Sequence, residues 1–375
     1  MKLFTYAILF SLLIACQPKA KKEALAPSLA DAFKGRFMMG TALNSPQTEG
    51  KDTVALNIVQ HHFNSIVAEN CMKSEVLQPN EGEFDFRLAD QIVELAAKSN
   101  AFMVGHTLIW HSQTAPWMFV DENGAPVARD TLIERMRTHI HTVVGRYKGR
   151  VHGWDVVNEA LLEDGSFRQS PYYKIIGEEF IELAFQFANE ADPDAELYYN
   201  DYNMYKLEKS QGAIKLAKTL KNKGIRIDGI GMQAHYGLHM DIFDEIEASI
   251  NSFSDNGLKV MITELDVSVL PFPTEELTAE VSQNYAMKPE YNPYVTALPD
   301  SVQTQLASYY QNLFEIYKRQ SDKISRITFW GVNDDQTWRN YWPIQGRTDY
   351  PLLFDRNNEV KPAFDAVIKT AQSQK

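Results

Sequence analysis

The chain is 375 residues long, with 37 Lys and Arg against 49 Asp and Glu, for a net charge of −12. Its 44% hydrophobic and 23% charged residues are the balance of a globular protein with a large core, which excludes a disordered, collagen-like or coiled-coil chain. The negative balance also speaks against broad binding to nucleic acid or to an anionic lipid surface, both of which need a cationic face.

The chain opens on a leader. Lys2 is followed by a mostly apolar run over 3–15, too short to span a bilayer and suited to a secretory signal. The residues Leu13-Ile14-Ala15-Cys16 resemble the lipobox of bacterial lipoproteins, in which cleavage before the cysteine leaves it lipid-modified. The expected organisation is a lipoprotein signal peptide over 1–15, a polar linker over 16–27 that begins at lipidated Cys16, and one folded domain over 28–375. An ordinary signal peptide with Cys16 incidental is the alternative. Cys71 is the only other cysteine, so once Cys16 is lipidated the fold rests on no intramolecular disulfide. No later segment is apolar for long enough to be a membrane helix.

Beyond the linker one unit recurs: a short β-rich apolar run, a polar or aromatic loop, then a stretch of helical periodicity. The first run, 37–42, leads to a helix over 53–62. The run 65–68 ends in Glu69 and Asn70 before a helix over 87–99. The run 102–108 carries His106 and Trp110 and precedes a helix over 130–148. The run 151–157 ends in Asn158 and Glu159, with a helix over 173–190. The run 196–200 meets Asp201 and Tyr202, with a helix over 206–222. The run 229–233 brings Gln233 and His235, with a helix over 240–255. The run 259–263 ends in Glu264 and Asp266, with a helix over 302–320. The last run, 327–329, ends in Trp330 before a helix over 362–373. Eight such units predict an α/β fold, a single (β/α)8 TIM barrel with enlarged βα loops. A doubly wound open sheet is the competitor, but no G-x-G-x-x-G or phosphate loop supports it. Chemically capable residues fall at the strand C-terminal ends, the face on which such barrels carry active sites.

Two of those ends stand out. Val156-Val157-Asn158-Glu159 and Met261-Ile262-Thr263-Glu264 each end an apolar strand in a glutamate, on the fourth and seventh staves. Two carboxyls facing each other across a sugar-sized gap are what glycosidic cleavage needs, one protonated to assist the departing oxygen and one ionised to meet the developing positive charge. Trp154-Asp155-Val156-Val157-Asn158-Glu159-Ala160, Ile262-Thr263-Glu264-Leu265-Asp266-Val267 and Gly105-His106-Thr107-Leu108-Ile109-Trp110-His111-Ser112-Gln113 resemble the signature segments of glycoside hydrolase family 10, whose members are mainly endo-1,4-β-xylanases. Met232-Gln233-Ala234-His235 and Thr328-Phe329-Trp330-Gly331-Val332-Asn333-Asp334 resemble two further segments, and the likeness runs from about Leu29 to the C-terminus.

The resemblance implies a retaining double displacement, with Glu159 as acid/base, Glu264 as nucleophile and the two carboxyls about 5–5.5 Å apart. It further implies that Asn158 holds the 2-hydroxyl of the sugar being cleaved, that His235 holds the nucleophile, and that Asp266 orients His235. Glu69, Asn70, Lys73, His106, Trp110, Gln113, Gln233, Trp330 and Trp338 would line the substrate cleft, with Tyr202 toward the leaving group. Trp330 and Trp338 would crowd the glycone subsites against any sugar bearing an exocyclic hydroxymethyl. Ser74 departs from relatives that carry a large aromatic there, as does Cys71 at a variable position. The long loop over 269–300, rich in Pro and Tyr, should border the leaving-group side. The histidine pairs His61-His62, His106 with His111 and His139 with His141 lack metal-site spacing, so no metal and no cofactor is expected. The expected partner is xylan or xylo-oligosaccharide. No nucleic acid is expected, the membrane is met only through the lipid anchor at a bacterial envelope, and the catalytic domain is monomeric. A β-glucan or mannan hydrolase and a non-catalytic glycan-binding lipoprotein are the other readings. The last of these would be expected to have lost one glutamate.

Overall fold

A computed structural model describes residues 28–274 and 280–373. The expected signal peptide, Cys16 and the linker lie outside the described residues, as do residues 275–279 of the 269–300 loop.

Nine strands form the sheet: β1 (Met38–Leu43), β2 (Ser65–Ala68), β3 (Phe102–Trp110), β4 (Gly153–Asn158), β5 (Glu196–Asp201), β6 (Gly229–Met232), β7 (His235–Gly237), β8 (Lys259–Ser268) and β9 (Ile324–Phe329). All pairings are parallel. They run from β1 through β2, β3, β4, β5 and β6 to β8 and β9, and β9 pairs back onto β1, so the sheet closes into a barrel. Eight staves result, because β7 pairs only with β8 and prolongs the stave that β6 begins. Between them the chain breaks at Gln233 and Ala234, where Ala234 takes φ +65°. The break keeps its ladder: Glu264 N–H donates to Gln233 O at 2.9 Å and Asp266 N–H to Ala234 O at 3.3 Å.

The strands are apolar on both faces because each is covered on both, by the barrel interior and by the surrounding helices. Small residues let the interior close. A Cβ at Gly153 would stand 2.5 Å from the Tyr198 hydroxyl, and one at Gly231 would stand 2.2 Å from Asn200 Oδ1. Buried Arg326 lies over the rings of Phe102 and Tyr198, at 5.7 and 5.3 Å.

Each stave is followed by a helix whose apolar stripe covers it. In Arg87–Lys98 the buried residues are Ala89, Ile92, Val93 and Ala96, the spacing of one helical face. Thr53–His62 is capped by Asp52, which accepts from Ala55 N–H at 3.0 Å. The expected helix over 173–190 is two, Pro171–Ile176 and Glu179–Ala191, separated by Gly177 at φ +88°, a conformation that stops a helix and that glycine adopts at little cost. β3 and β8 run beyond the expected runs to Trp110 and Ser268, and β9 starts earlier, at Ile324. Among the described residues no helix is long and apolar enough to cross a membrane.

Candidate active site

A cavity of about 260 Å³ opens at the C-terminal ends of the staves. Glu69, Asn70, Lys73, His106, Trp110, Gln113, Asn158, Glu159, Gln233, His235, Glu264, Trp330 and Trp338 all line it, gathered from six staves and the loops that follow them. Two of the expected residues do not. Asp266 lies beneath the cavity, fully buried. Tyr202 is buried behind it, where its hydroxyl accepts from Arg168 Nη2 at 2.7 Å.

Glu159 follows the last residue of β4. Its Oε2 accepts from the Trp110 indole at 2.8 Å and its Oε1 from Gln233 Nε2 at 2.9 Å and Asn158 Nδ2 at 3.3 Å. Burial nonetheless dominates and holds its pKa above the usual carboxylate value; the charge of Asp201 adds to this, while His111 and the Gln233 and Trp110 bonds oppose it.

Glu264 stands within β8. Its Oε1 accepts from Asn200 Nδ2 at 2.7 Å, and its Oε2 lies 3.2 Å from His235 Nε2. Burial works against ionisation here too, but the bond to His235, the charges of His106 and His235 and the Asn200 bond outweigh it, so the pKa lies below the usual value. Beneath, His235 Nδ1 lies 3.0 Å from Asp266 Oδ2. Asp266 also accepts from the Trp338 indole at 2.7 Å and from Arg339 at 3.1 and 2.8 Å. Burial opposes its charge, yet Arg339 and His235 hold its pKa down to about 2. Burial likewise disfavours the imidazolium of His235, but Asp266 and Glu264 raise its pKa above the ordinary. When protonated, the ring can donate to both carboxylates at once, one from each nitrogen. The two cavity carboxyls therefore sit in opposed environments, one pushed toward the acid and one toward the carboxylate.

An amide chain links them. Asn158 Oδ1 accepts from Asn200 Nδ2 at 3.0 Å and from Gln233 Nε2 at 3.2 Å. Asn200 was not among the expected residues. Its signal is register: Asn200 pairs with Asn158 across β4 and β5, which puts the two amides on one face.

On the far side Lys73 Nζ donates to Asn70 Oδ1 at 2.8 Å and Gln113 Oε1 at 2.7 Å, and lies 5.0 Å from the centre of the Trp110 ring. Burial lowers the Lys73 pKa and raises that of Glu69, and in so dry a wall a hydrogen bond from either to a ligand hydroxyl is stronger than in water. His106 is fixed by Asp155 at 2.9 Å. Ser74 and Cys71 are buried and neither lines the cavity; burial pushes the Cys71 thiol up to about 12.

Aromatic rings wall the opposite side. Trp338 stacks on Trp342 with centroids 4.6 Å apart, and Trp330 packs edge-on to His106 at 5.3 Å. Trp342, the 59% exposed Tyr341 and Val281 line the cavity although the sequence did not single them out. Val281 belongs to the 269–300 loop. Its neighbour Glu280 meets Arg168 Nη1 at 2.8 Å and His111 Nε2 at 3.4 Å, so this loop touches those after β3 and β4. Among the described residues no group of three His, Cys, Asp or Glu side chains is placed to hold a metal ion.

Known proteins resemble this chain over nearly its whole length. The model of Glycosyl hydrolase family 10 matches residues 28–370. The chain is similar to the endo-1,4-beta-xylanase A of Xylanibacter ruminicola, 48% identical over 360 residues that cover 96% of this chain and 98% of that one. It is similar to the endo-1,4-beta-xylanase of Geobacillus stearothermophilus at 42% identity, over 91% of this chain and 98% of that one. Among solved structures, a GH10 endoxylanase retrieved from sugarcane soil metagenome superposes with a TM-score of 0.88 at 43% identity, over 91% of this chain and 99% of that one.

Proposed function

The chain belongs to glycosyl hydrolase family 10, and we propose that Glu159 and Glu264 perform the retaining double displacement of an endo-1,4-β-xylanase. What carries this reading is the opposed electrostatics of two buried glutamates in one cavity, Glu159 raised and Glu264 lowered. The enzyme hydrolyses internal β-1,4-xylosidic bonds. In the first step Glu264 attacks the anomeric carbon while Glu159 gives its proton to the departing oxygen, so one carbon–oxygen bond forms as another breaks. Esterification removes the charge of Glu264. Glu159, now a carboxylate held by Trp110 and Gln233, takes a proton from the water that attacks the same carbon and releases Glu264.

His235 keeps the nucleophile ionised and Asp266 keeps His235 in place. Asn158 serves the 2-hydroxyl of the sugar being cleaved, a contact that strengthens as charge develops on the ring. Glu69, Asn70, Lys73, His106, Gln113 and Gln233 offer polar groups to the equatorial hydroxyls, while Trp110, Trp330 and Trp338 face the apolar C–H surfaces. The rings of Trp330 and Trp338 favour xylose, which lacks the hydroxymethyl of glucose. The leader supports an enzyme tethered through lipidated Cys16 at a bacterial envelope, with a monomeric catalytic domain. Cys16→Ala should release it from the membrane fraction.

The mechanism is tested by proton NMR of xylo-oligosaccharide hydrolysis. The first product to appear should carry the β-anomer, and an initial α-anomer rules out retention. Xylan should be cleaved far faster than cellulose, and Glu264→Ala should abolish both activities.

A further inference from the structure

Glu159 holds φ +57°, in the left-handed region where a side chain with a Cβ is strained unless its neighbours impose the conformation. Here they do. The Glu159 N–H donates to Asn200 O at 2.9 Å, and its carbonyl accepts from Arg168 Nε at 2.9 Å. The next N–H, of Ala160, donates to the Tyr199 hydroxyl at 3.0 Å, and that of Leu161 donates to Asp201 Oδ2 at 3.3 Å. Tyr199 in turn donates to Asp201 Oδ2 at 2.5 Å. Asp201 Oδ1 pairs with Lys209 Nζ at 2.9 Å, both side chains being wholly buried. Lys209 Nζ lies 3.7 Å from the centre of the Tyr202 ring, whose hydroxyl accepts from Arg168 Nη2, so the contacts close into a circuit that ends on Glu159 itself. Neither Tyr199, Asp201 nor Lys209 lines the cavity. Stability alone is a weak reason for the pair, since two charges in an apolar interior seldom outdo a well-packed apolar pair.

We propose that Tyr199, Asp201 and Lys209 are positioning residues for the acid/base: they hold the turn at 159–161 and so aim the Glu159 carboxyl at the glycosidic oxygen. This rests on Glu159 being the acid/base. The strand pattern gives the logic. Residues of β5 alternate, so Tyr198 and Asn200 face the interior while Tyr199 and Asp201 face the loop after β4. One strand thus holds the nucleophile from one side, through Asn200, and the acid/base from the other. A carboxyl displaced by a fraction of an ångström loses proton transfer to a poor leaving group long before it loses substrate binding.

The test uses the full chain with Tyr199→Phe, which removes a single oxygen, and Lys209→Met. Substrates are xylan and a 2,4-dinitrophenyl β-xylobioside, whose leaving group departs without a proton. Tyr199→Phe should lower kcat on xylan about tenfold, with KM within about twofold, while kcat/KM on the dinitrophenyl substrate stays within about twofold. Turnover of the dinitrophenyl substrate should then be limited by the second step and be restored by azide, which attacks without a base. Lys209→Met should show the same pattern more strongly. Should Lys209→Met fail to fold, Tyr199→Phe decides, its folding checked by circular dichroism and melting. Equal slowing of both substrates, or rates matching the parent on both, overturns the proposal. Glu159→Ala separates the two assignments. If it too slows both substrates equally, the acid/base reading has failed; if it is selective and Tyr199→Phe is not, only the positioning role has.

Discussion

Glu159 must give up a proton in one step and recover it in the next, so neither of its forms can be bound too firmly. Burial pushes it toward the acid, while the Trp110 indole at 2.8 Å and Gln233 at 2.9 Å favour the carboxylate. Removing one donor should therefore shift the balance in a known direction. In Trp110→Phe the carboxylate loses a bond that the acid does not need, so the pKa rises further. The alkaline limb of kcat/KM, set by loss of the Glu159 proton in the free enzyme, should move to higher pH by roughly half a unit to one unit. The acid limb, set by Glu264, should stay where it is. A pH profile on an unsubstituted xylo-oligosaccharide reads both limbs, and an alkaline limb that moves downward contradicts the assignment.

At the scale of elements, Asp266 ties three pieces together: β8 that carries it, β7 through His235, and the loop after β9 through Trp338 and Arg339. Arg339 is fully buried and lies against the rings of Trp338 and Trp342 at 4.8 and 5.6 Å. Asp266→Asn leaves that guanidinium without a counter-charge, at a cost of about 3–5 kcal/mol. Arg339→Gln alone should cost comparably, and the double variant less than the two together, because it leaves neither charge alone. Urea unfolding of the four proteins measures the coupling, and strict additivity would show that the pair does not act as a unit. Much of this layer was readable in advance. Apolar runs followed by chemically capable residues placed the staves and the cavity wall, since a strand buried on both faces has little freedom in composition. The break at Gly177 was not readable, because apolar residues keep helical spacing across it from Tyr172 and Ile176 to Phe180 and Ile181. Tyr202 was a candidate for the leaving-group side through the family resemblance; here it is buried, its hydroxyl held by Arg168, and it does not line the cavity. Asn200 was hidden inside a β-like run, and only alternation along β5 separates it from Asp201. Arg339 and Trp342 reach the site through the turn Trp338–Asn340 after β9, where no periodicity betrays direction.

For the whole molecule, the pH range of folding and the pH range of catalysis are set in different places. His235 and Asn200 hold the Glu264 pKa below the usual carboxylate value against its burial, and Arg339 and His235 hold that of Asp266 down to about 2, so a falling pH protonates the nucleophile later than an ordinary carboxylate. The fold has a weaker point in the helix Arg129–Arg146, which covers β3. Its His139 is fully buried, pairs with Gln78 at 2.9 Å and stacks on Phe84, and burial pushes its pKa down to about 4. An unfolded chain takes up that proton near pH 6.5, while the fold refuses it until about pH 4. Stability is therefore lost as pH falls between those two values, by about 3 kcal/mol from this residue. His62, also lowered to about 4 by burial, acts in the same sense. Asp334 acts in the opposite sense: its pKa is raised to about 6 by burial despite Lys361, so it gains stability as pH falls toward 3.8. Because His62 and Asp334 titrate alike in parent and variant, a difference between the two proteins isolates His139. His139→Met should be less stable than the parent at pH 7, where it loses the bond to Gln78. Relative to the parent it should recover about 3 kcal/mol on going to pH 4. Chemical denaturation of both proteins at the two pH values measures this. A gap between them that does not change with pH would mean that His139 is protonated as easily in the fold as outside it, and that acid sensitivity lies elsewhere in the barrel.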